Sequence, residues 1–338
     1  MPAPLTIGLI GAGRIGRVHA ANLATRVPGA RLLAVADVNE AAARSCAEAY
    51  GIPGATADYH SILDDPAIQA VLICSATDTH AQLIEEAAAA DKQIFCEKPI
   101  ALDLPTIDRA LAVVERAGVQ LQIGFNRRFD PNFRRARQAV ERGEIGQPQL
   151  LHIISRDPAP PPIDYVRVSG GMFMDMTIHD FDLARFLIGS EVEELYVRAT
   201  TQDPAIADAG DVDTAVLVLS FANGVIGTID NSRRAVYGYD QRVELFGSAG
   251  AVMIGNNYPN SAVISTAESV RRDLPLNFFM ERYTESFVAE LQAFVEAVID
   301  DRPVPVSGLD GRVPVVMGLA ARRSHAEGRP VRLSEIVG

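Results

Sequence analysis

The sequence predicts an α/β protein of two domains: an N-terminal, doubly wound parallel sheet, then an α+β domain with a large, mostly antiparallel open sheet. Three observations carry this reading. At 338 residues the chain exceeds one ordinary hydrophobic core, and domains of roughly 100–200 residues make two the natural count. As far as residue 124, short and almost wholly apolar runs alternate with Ala-rich stretches, the pattern of strands covered on both faces by crossover helices. Beyond it the rhythm changes to longer strands in succession. The expected domains are therefore 1–124 and 125–338.

Each element has its own signal. The parallel strands are TIGLIG, RLLAVAD, QAVLICSA, KQIFCEK and VQLQIGF, separated by helical segments such as TDTHAQLIEEAAAA. NFRRARQAVERGEIG reads as a helical bridge into the second domain. There RDPAPPPIDYVRVSGG is rich in proline and reads as an extended loop, leading to a helix that starts near Thr177. DTAVLVLSFANGVIGTIDNS sets Asn-Gly between two runs, a hairpin signal, and RVELFGSAGAVMIG continues the sheet. The last segment, from Tyr283 on, reads as helical and is free to pack back on either domain, the first included.

Composition excludes several partners. A net charge of −12 offers no attraction for a polyanion, and no basic stripe interleaved with aromatics occurs, so nucleic acid is not expected. No targeting segment and no apolar run of membrane-spanning length is evident, which points away from a membrane and toward the cytoplasm. Cys46, Cys74 and Cys96 lack metal-ligand spacing. Neither a disulfide framework nor a metal is expected, and Cys74 and Cys96 read as buried strand-end residues.

The first chemical motif is GLIGAGRIG, directly after a strand and opening a helix. Gly11 permits the tight turn, Gly13 lets backbone approach a pyrophosphate, and Gly16 lets the helix lie close to the strand. Arg14 and Ile15 complete the loop, which offers helix N-terminal N–H groups to phosphates. A glycine turn without nucleotide is the competing reading. Against it stands Asp37, ending the second strand 21 residues after Gly16, near the spacing of an acid that holds the adenosine ribose. Its charge would repel a 2′-phosphate and so favours NAD over NADP, although Arg14 is placed to offset that repulsion. At the next strand end Ser75, Thr77 and His80 could line the nicotinamide side of the cofactor; Ser75 is kept as its neighbour, whereas Thr79 reads as a helix cap and His80 as a surface residue. Glu97 and Lys98 end the following strand, on the edge where open α/β sheets bind ligands. Pro99 stiffens that turn.

In the second domain Asp175, His179, Asp182 and Phe186 recur at i, i+4, i+7 and i+11, one stripe of a helix. Ile178, Phe181, Ala184 and Ile188 occupy a core-facing side. Gly170 and Gly171 would let the segment come close to a ligand. The bland alternative makes Asp175 a helix cap and His179 its structural partner.

GAGRIG, Asp37, EKP, GFNRRFDP and GGMFMDMTIHDFDLARFLIG together resemble the Gfo/Idh/MocA oxidoreductases, and within them the inositol 2-dehydrogenases; these blocks span both domains. The resemblance implies an NAD-dependent dehydrogenase that oxidises a secondary hydroxyl of a cyclitol, with myo-inositol to 2-keto-myo-inositol the first choice. It implies Lys98, Asp175 and His179 as catalytic residues. His179 would be the base, Lys98 would stabilise charge on the reacting oxygen, and Asp175 would orient the imidazole or bind a neighbouring hydroxyl. It further implies Glu97 beside the cofactor, and Arg128, Asp157, Tyr237 and Tyr239 near the polyol; Arg128 could instead bridge the domains, and the tyrosines could merely cover the sheet. The chain departs from the pattern at ISRDP, where these relatives carry a His and an Arg-Asn-Pro, so Ser155 and Asp157 change the hydrogen-bonding character beside the substrate. Another cyclitol or a pyranose, an NAD-binding sensor without turnover and an NAD-dependent glycosidase remain as alternatives. A homotetramer is expected from the resemblance, and DTAVLVLSF with GVIGTIDNS would otherwise leave a broad sheet face in water.

Overall fold

The computed structural model describes residues 3–337. The chain forms two compact units, one of Met1–Phe129 with Glu285–Val315, the other of Asp130–Thr284 with Val316–Gly338.

The first unit alternates strands and helices. They are β1 (Leu5–Ile10), α1 (Arg14–Thr25), β2 (Ala30–Ala36), α2 (Glu40–Tyr50), β3 (Gly54–Thr56), α3 (His60–Leu63), β4 (Ala70–Ile73), α4 (Thr77–Ala89), β5 (Gln93–Cys96), α5 (Leu104–Ala117) and β6 (Leu121–Ile123). All pairs are parallel, in the order β3-β2-β1-β4-β5-β6. This is the doubly wound order of the Rossmann fold. Every residue of β4 is buried, as a strand covered on both faces requires. The edge strand β3 has only three residues and gives no periodic signal in the sequence. In the core cluster Ile7, Leu9, Leu32, Val35, Leu72 and Phe95 pack with Leu291, Phe294 and Val295 of the helix Thr284–Ile299. A single cut after residue 124 therefore does not reproduce the division into units, because this late helix buries its apolar side in the first core.

The second unit opens with α6 (Pro131–Glu141), whose N-cap Asp130 accepts hydrogen bonds from Asn132 N at 2.9 Å and Phe133 N at 3.2 Å. It continues with β7 (Pro148–Arg156), α7 (Ile163–Val168), α8 (Met172–Asp175), α9 (Thr177–Ile188) and β8 (Val192–Thr200). Next come β9 (Thr214–Phe221), β10 (Ile226–Ser232), β11 (Asp240–Gly247) and β12 (Gly250–Ile254). The seven-stranded sheet runs β12-β11-β7-β10-β9-β8, with Val331–Arg332 at its edge, and only β7 and β10 pair in parallel. The expected Asn-Gly hairpin joins β9 to β10, with Gly224 at φ +87°. The proline-rich stretch is not extended throughout: α7 begins as soon as the prolines end, with Pro162 as its N-cap at φ −52°, ψ 140°. Proline is compatible with a helix start and not with its interior.

At Gly16 the helix α1 lies close against the turn that follows β1. A Cβ on Gly16 would lie 1.9 Å from the carbonyl oxygen of Gly11, whereas one on Gly13 would have no atom within 4 Å. Gly16→Ala is expected to cost roughly 1–3 kcal/mol by forcing the helix off the strand, while Gly13→Ala stays close to wild-type stability. Urea unfolding midpoints check this; equal midpoints for the two variants would contradict the packing argument.

Candidate active site

The glycine loop is built as a phosphate cradle. Gly11 adopts φ +102°, and a Cβ there would press within 2.6 Å of the Cys74 carbonyl, so both the turn and the neighbouring strand demand glycine. Gly13 is the N-cap of α1, no side chain caps that end, and the space a Gly13 Cβ would fill is open. Arg14, the first residue of the helix, is exposed, and Ile15 packs partly against the core. Asp37 follows β2 and is half-buried. Its Oδ2 accepts from Ala12 N at 2.7 Å and its Oδ1 from Asn39 N at 2.8 Å. The carboxylate is fixed beside the loop with lone pairs to spare for a ribose diol. A helix N-terminus without a side-chain cap, a glycine with open space beside it and an acid with spare acceptor capacity are the features a dinucleotide requires.

Parallel register carries the other strand ends to the same edge. Ile10 pairs with Ala36 on one side and Ile73 on the other, Ile73 with Cys96, and Cys96 with Ile123. Gly11, Asp37, Cys74, Glu97 and Gly124 are thus the first residues beyond a common row. Ser75, half-buried, exchanges a 2.6 Å hydrogen bond with the Thr79 hydroxyl. Thr79 does not cap α4, whose N-cap Ala76 has no side-chain bond; its hydroxyl donates instead to Ala76 O. Nor is His80 a surface residue. It is buried, with Nδ1 2.8 Å from Pro99 O and Nε2 3.1 Å from Ser75 O, and it straps two strand-end loops together. Burial pushes its imidazole below the ordinary titration range, against the pull of those two carbonyls. The fourth-position histidine of a helix carries no sequence signal for such a strap.

Glu97 and Lys98 are both half-buried. The Glu97 carboxylate turns inward to His19 Nε2 at 2.7 Å, so sequence reasoning placed it on the correct edge but missed its partner on α1. Gly124 makes room for it, since a Cβ there would sit 3.1 Å from the Glu97 carboxyl. Cys74 and Cys96 are buried as expected, and burial raises both thiols well above their usual range. Arg128, in the 3-10 turn Asn126–Phe129, donates to Asp310 at 2.9 Å within the same unit. Burial works to raise Asp310, but Arg128 and Ser307 outweigh it and hold the carboxyl below its ordinary value.

In the second unit Asp175 ends α8, and α9 starts two residues later, after Met176 at φ −95°, ψ −60°. The acid and His179 therefore flank a helix break rather than share one continuous helix, and both are half-buried. Asp175 is not a cap. It accepts from the Tyr165 hydroxyl at 2.9 Å and from the guanidinium of Arg233 at 3.3 Å. Arg233 is 1% exposed and also faces Asp211 at 3.6 Å. Asp211 in turn accepts from Met172 N and occupies the space a Gly171 Cβ would need, so that glycine, at φ +79°, serves Asp211. Asp182 is fully buried, as are Ile178, Phe181 and Ala184.

Beneath α9, Asn231 of β10 donates to Asp180 at 2.8 Å and accepts from Thr177 at 2.6 Å, all three side chains wholly buried. Ser155 is also buried and accepts from Gln241 at 3.0 Å, so it faces the interior. Asp157, just past β7, is half-buried, and its backbone bridges Ser232 and Ala235. The Tyr237 hydroxyl donates to Asp240 at 2.6 Å and lies 3.2 Å from Arg156. Asp240 is buried, which would raise its carboxyl, but Arg242, Tyr237 and Asn256 outweigh burial and lower it. Tyr239 is 6% exposed, with its ring edge-on to Tyr283 at 6.0 Å.

A dinucleotide cradle on a doubly wound sheet, followed by an α+β unit with an acid and a histidine at a helix break, defines a nicotinamide-dependent oxidoreductase. Residues 5–125 match the family model described as oxidoreductase family, NAD-binding Rossmann fold, and residues 133–253 match the GFO/IDH/MocA C-terminal domain. The chain belongs to the GFO/IDH/MocA family of oxidoreductases. It is 49% identical to the myo-inositol 2-dehydrogenase of Thermotoga maritima, over 99% of this chain and all of that one. The crystal structure of a myo-inositol dehydrogenase from Corynebacterium glutamicum superposes with a TM-score of 0.93 at 38% identity, covering 98% of this chain and 99% of that one. A scyllo-inositol dehydrogenase from Lactobacillus casei, with bound NAD(H) and scyllo-inositol, gives 0.91 at 30% identity and the same coverage. NAD is the cofactor of this Rossmann domain.

Asp37 provides the test of cofactor choice. The wild type is expected to use NAD with higher kcat/KM than NADP, and Asp37→Ser to narrow that gap by removing a charge that opposes the 2′-phosphate and a ribose acceptor. Steady-state kinetics with both cofactors decide it; equal efficiencies in the wild type would sink the assignment.

Proposed function

We propose that this protein oxidises a ring hydroxyl of a cyclitol with NAD, myo-inositol being the first candidate and 2-keto-myo-inositol the product. The observation that carries the proposal is the pair Asp175 and His179 at the break between α8 and α9, in a chain whose relatives act on inositols over their whole length. NAD, when bound, supplies the hydride acceptor. His179 takes the hydroxyl proton as the carbon is oxidised, a task suited to an imidazole because its titration lies near neutrality. The Lys98 ammonium stabilises negative charge on the reacting oxygen. Asp175, held by Tyr165 and Arg233, presents a fixed acceptor that orients the imidazole or a neighbouring hydroxyl. Gly11, Gly13, Arg14, Ile15 and Gly16 receive the pyrophosphate, Asp37 the ribose, and Ser75 borders the nicotinamide side.

Of the outlying substrate residues, Asp157 and Tyr237 have the exposure for polyol contacts. Ser155 and Tyr239 act from behind, as buried supports. Arg128 is engaged with Asp310, so we assign it to shaping the turn that follows β6 before any contact with a hydroxyl. Among the described residues no helix is long and apolar enough to cross a membrane. We place the enzyme in the cytoplasm, a compartment that suits its three buried free thiols.

With NAD and a panel of cyclitols and sugars, net NADH formation is expected, and it separates a dehydrogenase from a sensor or an NAD-regenerating glycosidase. On the best polyol, His179→Ala should lose on the order of 100- to 10,000-fold in kcat while NAD binding, followed by fluorescence, persists. Lys98→Met should also lower kcat but keep the acid limb of the pH profile. Near-normal turnover in His179→Ala would remove the histidine from the mechanism.

The outer face of the second sheet supports a homo-oligomer, a homotetramer by resemblance. Val216 and Val218, Ile226, Leu150, Phe246 and Met253 lie on the consecutive strands β9, β10, β7, β11 and β12 and are each 37–76% exposed, an apolar patch of the sort that associates. A second copy of the chain is the proposed cover. Sedimentation should give a multimer that Val218→Glu dissociates, and a concentration-independent monomer for the wild type would end this proposal.

A further inference from the structure

The interior of the first unit holds an acid that the reaction scheme does not use. Glu290, on the helix Thr284–Ile299, is 0% exposed, and neither of its carboxyl oxygens has a hydrogen-bond partner. Ligand atoms of Glu290, Glu97 and His19 all lie within 4.8 Å of one another. His19 is likewise fully buried, walled by Phe95 at 5.4 Å and Phe287 at 5.8 Å, both edge-on. Other titratable groups that sense the charge of the cluster are the buried thiols Cys74 and Cys96 and the buried imidazole of His80, all three through Glu97. Gln122 of β6 fastens the same helix by donating to Glu290 O at 2.9 Å.

Glu290, wholly buried and without a hydrogen bond, cannot remain charged beside the half-buried Glu97 carboxylate without compensation. Sharing one proton removes the conflict, as does a bound cation. The 2.7 Å contact between His19 Nε2 and Glu97 Oε1 is a hydrogen-bond length, too close for two separate ligands of one ion, and His19 Nδ1 lacks the second partner that metal-bound imidazoles keep. The proton is the better occupant. We propose that Glu290 is a neutral acid whose O–H is directed at Glu97, and that it is a positioning residue for Lys98. Through it the dinucleotide helix α1, the end of β5 and the helix Thr284–Ile299 are joined at one buried point, one residue before Lys98. Burial first, and then the neighbouring charge of Glu97, push its carboxyl well above the ordinary glutamate range, in accord with this geometry.

The sign of the pH dependence follows. Below the ordinary glutamate value both folded and unfolded chains hold the proton. Above it the unfolded chain releases a proton that the folded chain keeps, so folding loses about tenfold in its equilibrium constant per pH unit until Glu290 itself ionises. Glu290→Gln has no such proton. Its stability relative to wild type should therefore rise with pH, whereas a cation bound to ionised Glu290 would produce the opposite trend.

The experiment compares the full-length wild type with Glu290→Gln and Glu290→Leu. Infrared difference spectra at neutral pH should contain the carbonyl stretch of a protonated carboxylic acid in the wild type that Glu290→Gln lacks. Unfolding midpoints across the pH range should show the relative gain of the Gln variant. The activity arm rests on the proposed role of Lys98: Glu290→Leu should lose roughly 10- to 100-fold in kcat, and Glu290→Gln, able to donate at the same place, should restore most of it. The first two readouts stand even if the substrate or Lys98 is misassigned, and they decide the matter if the Leu variant does not fold. Absence of the acid band, a pH-independent stability difference, or a stoichiometric metal in purified protein that Glu290→Gln releases would each overturn the proposal. Wild-type kcat in Glu290→Leu would remove the positioning role.

Discussion

Parallel register is the constraint on which the first unit depends. Because Ala36, Ile10, Ile73, Cys96 and Ile123 stand in one row across five strands, everything that follows each of them emerges along one edge. An aspartate, a glycine turn, a serine, a Glu-Lys pair and a spacer glycine are distant in sequence, yet the ladder hydrogen bonds make them neighbours. Side-chain chemistry at that edge is thus a consequence of backbone pairing, and the helices that cover the sheet secure it by burying the strands on both faces.

The second unit solves a different problem. Its sheet is largely antiparallel and could be assembled from hairpins alone, but β7 and β10 run side by side in the same direction. A parallel pair requires a crossover, and the crossover is where helices must lie. Asp175 and His179 belong to that connection, between β7 and β10. Around Asp175 the buried Arg233, with Asp211 and Tyr165, gathers charge and hydroxyl donors from segments more than 60 residues apart, which makes the acid's position a property of the whole unit.

What was legible in the sequence is what repeats or is local. Apolar runs betrayed the parallel strands and Asn-Gly a hairpin, since each depends on residues a few positions apart, and the glycine turn is as local, with Asp37 ending the next strand. What stayed hidden depends on contacts across the chain. The three residues of β3 have no period to read. The return of the helix Thr284–Ile299 to the first core leaves no mark at the domain boundary, because an apolar face does not specify which core it joins. That Ser155 meets Gln241 and the Tyr239 ring meets Tyr283 likewise depends on partners 86 and 44 positions away. The partnership of His19 with Glu97, 78 positions away, could not be inferred from either motif alone.

The polar trio beneath α9 has a consequence for direction. That helix is buried on nearly every side, so hydrophobic packing alone would tolerate a turn about its own axis. Asn231 does not tolerate it, because its amide must meet both Thr177 and Asp180, and rotating the helix would strand all three polar groups without water. The trio sets an azimuth in the way a keyway fixes a shaft. His179 is adjacent to Asp180, so the side of the helix from which it projects is fixed by an amide on another strand.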